Sequence, residues 1–166
     1  FIQAQNARPD FTLGDELLID VTDYTHVHHG PGVMLIGHEA NYGMDETEGH
    51  LGLLYRRKQS NKPSFEARVR ESLLATARMC ALLEAEPTLG GLTFARNTWL
   101  FQIQNRLLAP NTPETAAHFT PLLRHALAPF IGEPTIAHIY DPKLCFGLQI
   151  TWPNGGPSLE AILNAG

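Results

Sequence analysis

Three times along the 166 residues, segments in which apolar and polar side chains alternate are followed by a segment with helical periodicity. Hairpins between helices favour an antiparallel sheet, because a doubly wound parallel sheet needs single strands alternating with helices. The sequence therefore predicts an α+β fold, a two-layer sandwich of three helices and one mainly antiparallel sheet of about six or seven strands. Strands are predicted at 17–27, 33–42, 51–57, 92–95, 98–105, 135–140 and 144–152, with 92–95 and 98–105 paired as a hairpin.

The capping residues and prolines define the three helices. The first is predicted from Phe65 to Glu84, with Ser64 as its N-cap. The second begins at Pro113 behind Thr112, where proline fits because the first helical N–H has no partner in the helix. Pro121 is expected to kink this helix or to start a new one. A third, short helix is predicted at 157–165.

Size and composition predict one domain, residues 1–166. The hydrophobic fraction of 43% excludes a disordered chain, and the longest apolar runs are far shorter than a membrane span. The chain begins with Phe1, so we expect a missing or processed start, with residues 1–14 forming a helix end and a linker. Cys80 and Cys145 have no metal or disulfide-framework spacing, which predicts two reduced thiols in the cytoplasm.

Acidic and basic residues are separated along the chain, whose formal net charge is −5. Up to Glu48 nine acids accompany one base, whereas seven of the twelve bases lie from Arg56 to Arg78. This separation predicts association of an acidic patch with a basic patch, most simply in a homo-oligomer. Net acidity disfavours nucleic acid as a partner. The alternative is a small anionic ligand bound by a basic surface made of Arg56, Arg57, Lys58 and Arg70.

The first predicted hairpin is rich in histidine. With its turn centred on Gly30, residues whose numbers sum to 60 face each other. His38 then lies opposite Thr22, with Asp20 and Tyr24 on the diagonals. These positions make His38, Asp20 and Tyr24 candidate catalytic residues, with His38 as a general base or ligand. Candidate ligands for a divalent transition metal are His26, His28 and His38. The other face is predicted to be core, with Leu17, Ile19, Val21, Val27, Val33 and Leu35.

Complete catalytic motifs are missing from the sequence. The segment from His38 to Tyr42 begins like a zinc-protease helix but has tyrosine where the second histidine must stand. No GxSxG or phosphate-binding loop is present. The predicted function is therefore a cytoplasmic binding or accessory domain that self-associates, as a homodimer or with a protein partner, and has no catalysis of its own. The alternative is a metal- or small-ligand-dependent enzyme or sensor that uses the histidine-rich hairpin.

Overall fold

A computed structural model describes residues 16–27, 32–45, 51–58, 62–129 and 133–165. The α+β class and the antiparallel pairing are confirmed, since all five strand pairings are antiparallel. The seven described strands are divided between sheets of four and three strands instead of forming one sheet. The predictions for residues 1–14 and for a turn at Gly30 fall outside the described residues.

By its internal contacts the chain divides into two compact units. The first unit comprises Phe1–Lys62 and Glu71–Phe94, and the second comprises Pro63–Arg70 and Ala95–Gly166. That residues 1–166 fold as one domain stays a prediction.

The first unit contains a four-stranded meander in which consecutive strands are neighbours, and most of the first helix. The order β1-β2-β3-β4 leaves β1 and β4 as the two edge strands. The predicted helix from Phe65 to Glu84 is confirmed, and the Ser64 hydroxyl accepts a hydrogen bond from the Ala67 N–H at 3.1 Å. The elements are β1 (Leu18–Asp23), β2 (Val33–Gly37), β3 (Ala40–Asp45), β4 (Gly52–Arg57) and α1 (Phe65–Glu84).

The core of the first unit lies between one face of this sheet and the later turns of α1. Leu35 is opposite Tyr42 on the neighbouring strand, and both are buried against Met79 and Leu83 of the helix. Tyr42 is in turn opposite Tyr55, with the ring centroids 5.1 Å apart in an edge-on arrangement. Burial raises the pKa of both tyrosines, because the charged phenolate would lose its hydration.

The predicted strand 33–42 is wrong, because the chain reverses at His38 and Glu39 to give β2 and β3. The Glu16 carboxylate stabilises this turn by accepting hydrogen bonds from the N–H groups of Glu39 at 2.8 Å and Ala40 at 3.4 Å. Gly37 is required beside it, since a Cβ there would lie 2.7 Å from the Ala40 carbonyl oxygen.

The second unit contains a three-stranded sheet with order β5-β7-β6 and two helices. Residues 92–95 form no strand, so the predicted hairpin with 98–105 is wrong, and β5 pairs with β7 instead. Thr112 caps α2 as predicted, and Pro121 lies within this continuous helix. The elements are β5 (Thr98–Ile103), α2 (Pro113–Leu127), β6 (Thr135–His138), β7 (Phe146–Thr151) and α3 (Leu159–Asn164).

Side chains that alternate along β7 place the core of the second unit on one face of its sheet. The side chains of Phe146, Leu148 and Ile150 on the central strand are buried. The ring of Phe146 lies 5.7 Å from that of Phe119 on α2, which itself lies 5.4 Å from Phe65. These aromatic side chains bury a large apolar area in a small volume, which makes this face the centre of the unit.

Candidate functional site

The first hairpin differs in register from the prediction. The Tyr24 N–H donates to the Gly32 carbonyl at 2.9 Å, so pairing with β2 starts directly at the end of β1. Asp23 is opposite Val33 and Thr22 is opposite Met34, so the residues from Asp20 to Asp23 pair four positions away from their predicted partners. Leu18, on the other side of a β-bulge, is opposite Gly37 and is five positions away. His38 is therefore not opposite Thr22. From Asp20 to Asp23 the predicted alternation of faces is kept, because a shift of four residues preserves it. The bulge changes it at Leu18, which packs against the core cluster on the side of Leu35.

The candidate catalytic and metal residues are spread along β1, with Asp20 inside the strand and the others near its two ends. The His38 N–H donates to the carbonyl of Leu17, before the start of β1, and the His38 side chain is 70% exposed. Tyr24 and His26 follow the end of β1, with ring centroids 6.5 Å apart. Six residues of extended chain separate the two ends by roughly 20 Å. His28 is outside the described residues, and among those described no three His, Cys, Asp or Glu side chains could hold a metal ion.

The four predicted anion-binding residues are used differently. Arg57 pairs with Glu39 at 2.7 Å and Glu71 at 3.1 Å. The ammonium group of Lys58 donates to the Gly37 carbonyl at 2.6 Å. Arg70 belongs to the second unit and donates to the Ala165 carbonyl at 3.1 Å. Arg56 is exposed on the sheet face opposite to that of Arg57. Arg57, Lys58 and Arg70 thus have separate partners within the chain, and an anion site at the four residues stays a prediction.

The guanidinium group of Arg57 forms contacts with three elements of the first unit. It lies between the carboxylates of Glu39 and Glu71, and it donates to the Tyr55 hydroxyl at 3.3 Å. Burial opposes its charge, but the hydrogen bond to Tyr55 and the two carboxylates together raise the pKa of Arg57. This cluster connects the β2–β3 turn, β4 and α1, so its chemistry is structural.

The outer strand β1 and the residue directly before it, Leu17, carry exposed apolar side chains. Leu17 is 66% exposed, Ile19 57% and Val21 40%. The predicted core face of the first hairpin is therefore wrong except at Leu35, since Val27 and Val33 are exposed too. The physical reason is that β1 is an edge strand, and Leu18 is its only residue that packs against the described core cluster.

The two edge strands of the first sheet carry opposite charge. Asp20 and Asp23 lie on β1, which we name the acidic edge, and both side chains are exposed. Hydrogen bonds from Thr25 lower the pKa of Asp23, so this carboxylate is charged at neutral pH. Arg56 and Arg57 lie on β4, which we name the basic edge. Composition revealed this separation of charge, whereas only the sheet order shows that the two signs lie on opposite edges.

A cavity of about 440 Å³ opens at one end of the sheet in the second unit. Its polar groups are already engaged, because Arg106 donates to the Pro142 carbonyl at 3.1 Å and the two N–H groups of the buried Asn111 amide are shared among three carbonyl oxygens within 3.3 Å. Asn111 Oδ1 lies 2.6 Å from His138 Nε2. These bonds connect two loops, which gives the polar residues a structural role. The cavity is lined by Arg106, Leu107, Pro110, Asn111, Thr112 and Pro142.

Comparison with known proteins adds no family to this description. No protein-family model, curated protein or solved structure matches the chain. In the described part of the chain, no helix is long and apolar enough to cross a membrane.

Proposed function

We propose that the protein is a binding module that works by self-association through the edge strand β1, without catalytic chemistry of its own. The observation that carries this proposal is the exposure of Ile19 and Val21 on β1, and of Leu17 directly before it, where the outer edge of the strand has no neighbour among the described residues. Monomeric proteins usually cover or shorten such an edge, because its unpaired N–H and C=O groups are a template for another strand.

Pairing with a second copy would give strand partners to backbone groups of β1 that have none among the described residues, and it would remove apolar side chains from water. The Val21 N–H, which donates to the Asp20 carboxylate at 2.8 Å, would then exchange this acceptor for a strand carbonyl. Burial of a Val, Leu or Ile side chain contributes roughly 1.5–3 kcal/mol. Three partly exposed side chains therefore supply several kcal/mol against an association cost of about 4–15 kcal/mol. Together with the strand hydrogen bonds, this supports a weak, reversible complex.

The cysteines support a cytoplasmic location for this module. Cys80 and Cys145 are both thiols that form no disulfide, and Cys80 is buried in α1. Thiols in place of disulfides are typical of a reducing compartment.

The test is a sedimentation-velocity series over about a hundredfold range of protein concentration, since association depends on concentration by mass action. We expect the mean mass of the natural chain to rise with concentration. Val21→Lys places an ammonium group in the contact and should weaken association by about tenfold or more. Because Val21 is already exposed, thermal unfolding of this variant should be close to that of the natural chain.

A matched control distinguishes association through β1 from non-specific association of exposed apolar side chains. Leu108 is 80% exposed in the second unit, and Leu108→Lys should leave the association unchanged. A natural chain that keeps the mass of one copy at every concentration would contradict the proposed function. Equal weakening by both variants would move the contact away from β1.

A further inference from the structure

We propose that copies of the chain join head to tail, with the acidic edge β1 of one copy paired to the basic edge β4 of the next. This inference rests on the self-association proposed above and names the surface that β1 meets. Two observations support it: β1 and β4 are the two edges of one sheet, and β1 carries the exposed Asp20 and Asp23 whereas β4 carries the exposed Arg56.

The strand directions favour this pairing. The four strands are antiparallel to their neighbours in the order β1-β2-β3-β4, so β1 and β4 run in opposite directions. When a second copy is placed beside the first in the same orientation, its β1 lies antiparallel to β4. The alternating pattern of the sheet then continues across the contact, and antiparallel pairs have the better hydrogen-bond geometry.

One register matches both the charges and the faces. Setting Asp20 opposite Arg56 puts Val21 opposite Tyr55 and Thr22 opposite Leu54. Asp20 and Arg56 lie on the same face of their sheet, since they are opposite Ile36 and Asn41, which are themselves paired. Val21 and Tyr55 lie on the other face, where their strands pair with Leu35 and Tyr42. This register also places the exposed part of Val21 against the half-buried Tyr55 ring.

A symmetric pairing of two β1 strands is disfavoured by charge. It would bring Asp20 and Asp23 of one copy beside the same residues of the other, with no basic residue on either strand. Like charges across a strand pair are destabilising, and opposite charges are stabilising. Two β4 strands would meet the same difficulty with Arg56. Because the two paired surfaces differ, the head-to-tail contact leads to a closed ring or to an open chain of copies.

Charge reversal at Asp20 and Arg56 tests this contact with the full chain. The dissociation constant is measured by sedimentation velocity for the natural chain, Asp20→Arg, Arg56→Asp and the double swap Asp20→Arg/Arg56→Asp. Each single variant loses an attractive pair and gains a repulsive one, so we expect weakening by about tenfold. The double swap restores an opposite-charge pair and should return to within about twofold of the natural chain. Mixing the two single variants should restore assembly as well.

The exposed Lys143 in the second unit provides the control, since Lys143→Asp changes the net charge equally and should leave association unchanged. Weakening by Asp20→Arg without any effect of Arg56→Asp would overturn the head-to-tail contact while keeping association through β1. Weakening by both single variants without recovery in the double swap would overturn this register and pairing. A natural chain that never associates would instead remove the proposed function itself, and sedimentation of that chain alone reveals this case.

Discussion

The two antiparallel sheets of this chain place their charges and their apolar side chains differently. In the first sheet Asp20 and Asp23 lie on one edge, Arg56 and Arg57 lie on the other, and the strand β1 exposes apolar side chains. The strands of the second sheet contain no Asp, Glu, Lys or Arg at all. The second sheet thus uses its buried face for stability, whereas the first sheet also has edges with the features of a binding surface.

The outward face of the second sheet is formed by uncharged residues. Its residues form rows across β5, β7 and β6, with Thr98, Thr151 and Thr135 in one row and Leu100, Gln149 and Ala137 in the next. An uncharged face of this kind has no means of selecting a partner by charge. The edges of the first sheet do have that means, which is why we place the proposed contact there.

The largest expected difference between the two sheets is the effect of removing an apolar side chain. Phe146 is fully buried against Phe119, so Phe146→Ala leaves a cavity and should lower the free energy of unfolding by about 3–5 kcal/mol. Ile19→Ala, on the exposed edge strand, should change it by about 0.5 kcal/mol or less. Urea unfolding at a protein concentration below the association range measures both. Similar losses in the two variants would contradict the division into a buried face and an exposed edge.

The strength of local sequence signals decided which elements could be predicted. The caps at Ser64 and Thr112 and the alternation of β7 are local, and the corresponding elements are confirmed. The turn at His38 and Glu39 has no proline or Asn-Gly signal, since the distant residue Glu16 holds it by hydrogen bonds. Residues 92–95 alternate like a strand but lack a neighbouring strand with which to pair.

The candidate site was less predictable than the fold, because it depends on which strands become edges. Alternation marks one face of β1 as apolar, but it does not tell whether a helix covers that face. The sheet order leaves Val21 exposed and Leu35 buried, although they are opposite each other. The separation of acidic from basic residues was visible in the sequence. Their location on opposite edges required the order of the four strands.

An intermediate effect is expected from the buried amide of the second unit. Asn111→Ala removes the donor to the carbonyls of Ile139, Asp141 and Cys145, and it also removes the partner of His138. Leaving buried polar groups without partners costs about 1–3 kcal/mol each unless water replaces the lost group, so we expect a loss of roughly 2–3 kcal/mol in all. Urea unfolding measures it, and Thr115→Ala, at a half-buried position on α2, serves as the control. A loss no larger than that of the control would contradict the structural role of Asn111.

The smallest effect follows from the buried tyrosines of the first unit, and it is absent at neutral pH. Burial raises the pKa of Tyr42 and Tyr55 above the ordinary value of about 10. The stability that this provides is fully present below pH 10. It is lost as the pH rises above 10, because the unfolded chain then ionises while the folded chain keeps its protons. At pH 10.5 the loss from Tyr42 should be roughly 1 kcal/mol. Tyr42→Phe removes one ionising group, so its stability should fall less steeply between pH 9 and pH 11 than that of the natural chain. Parallel curves for the two proteins would show that the phenol of Tyr42 titrates equally in the folded and unfolded chain, against its burial between the sheet and α1.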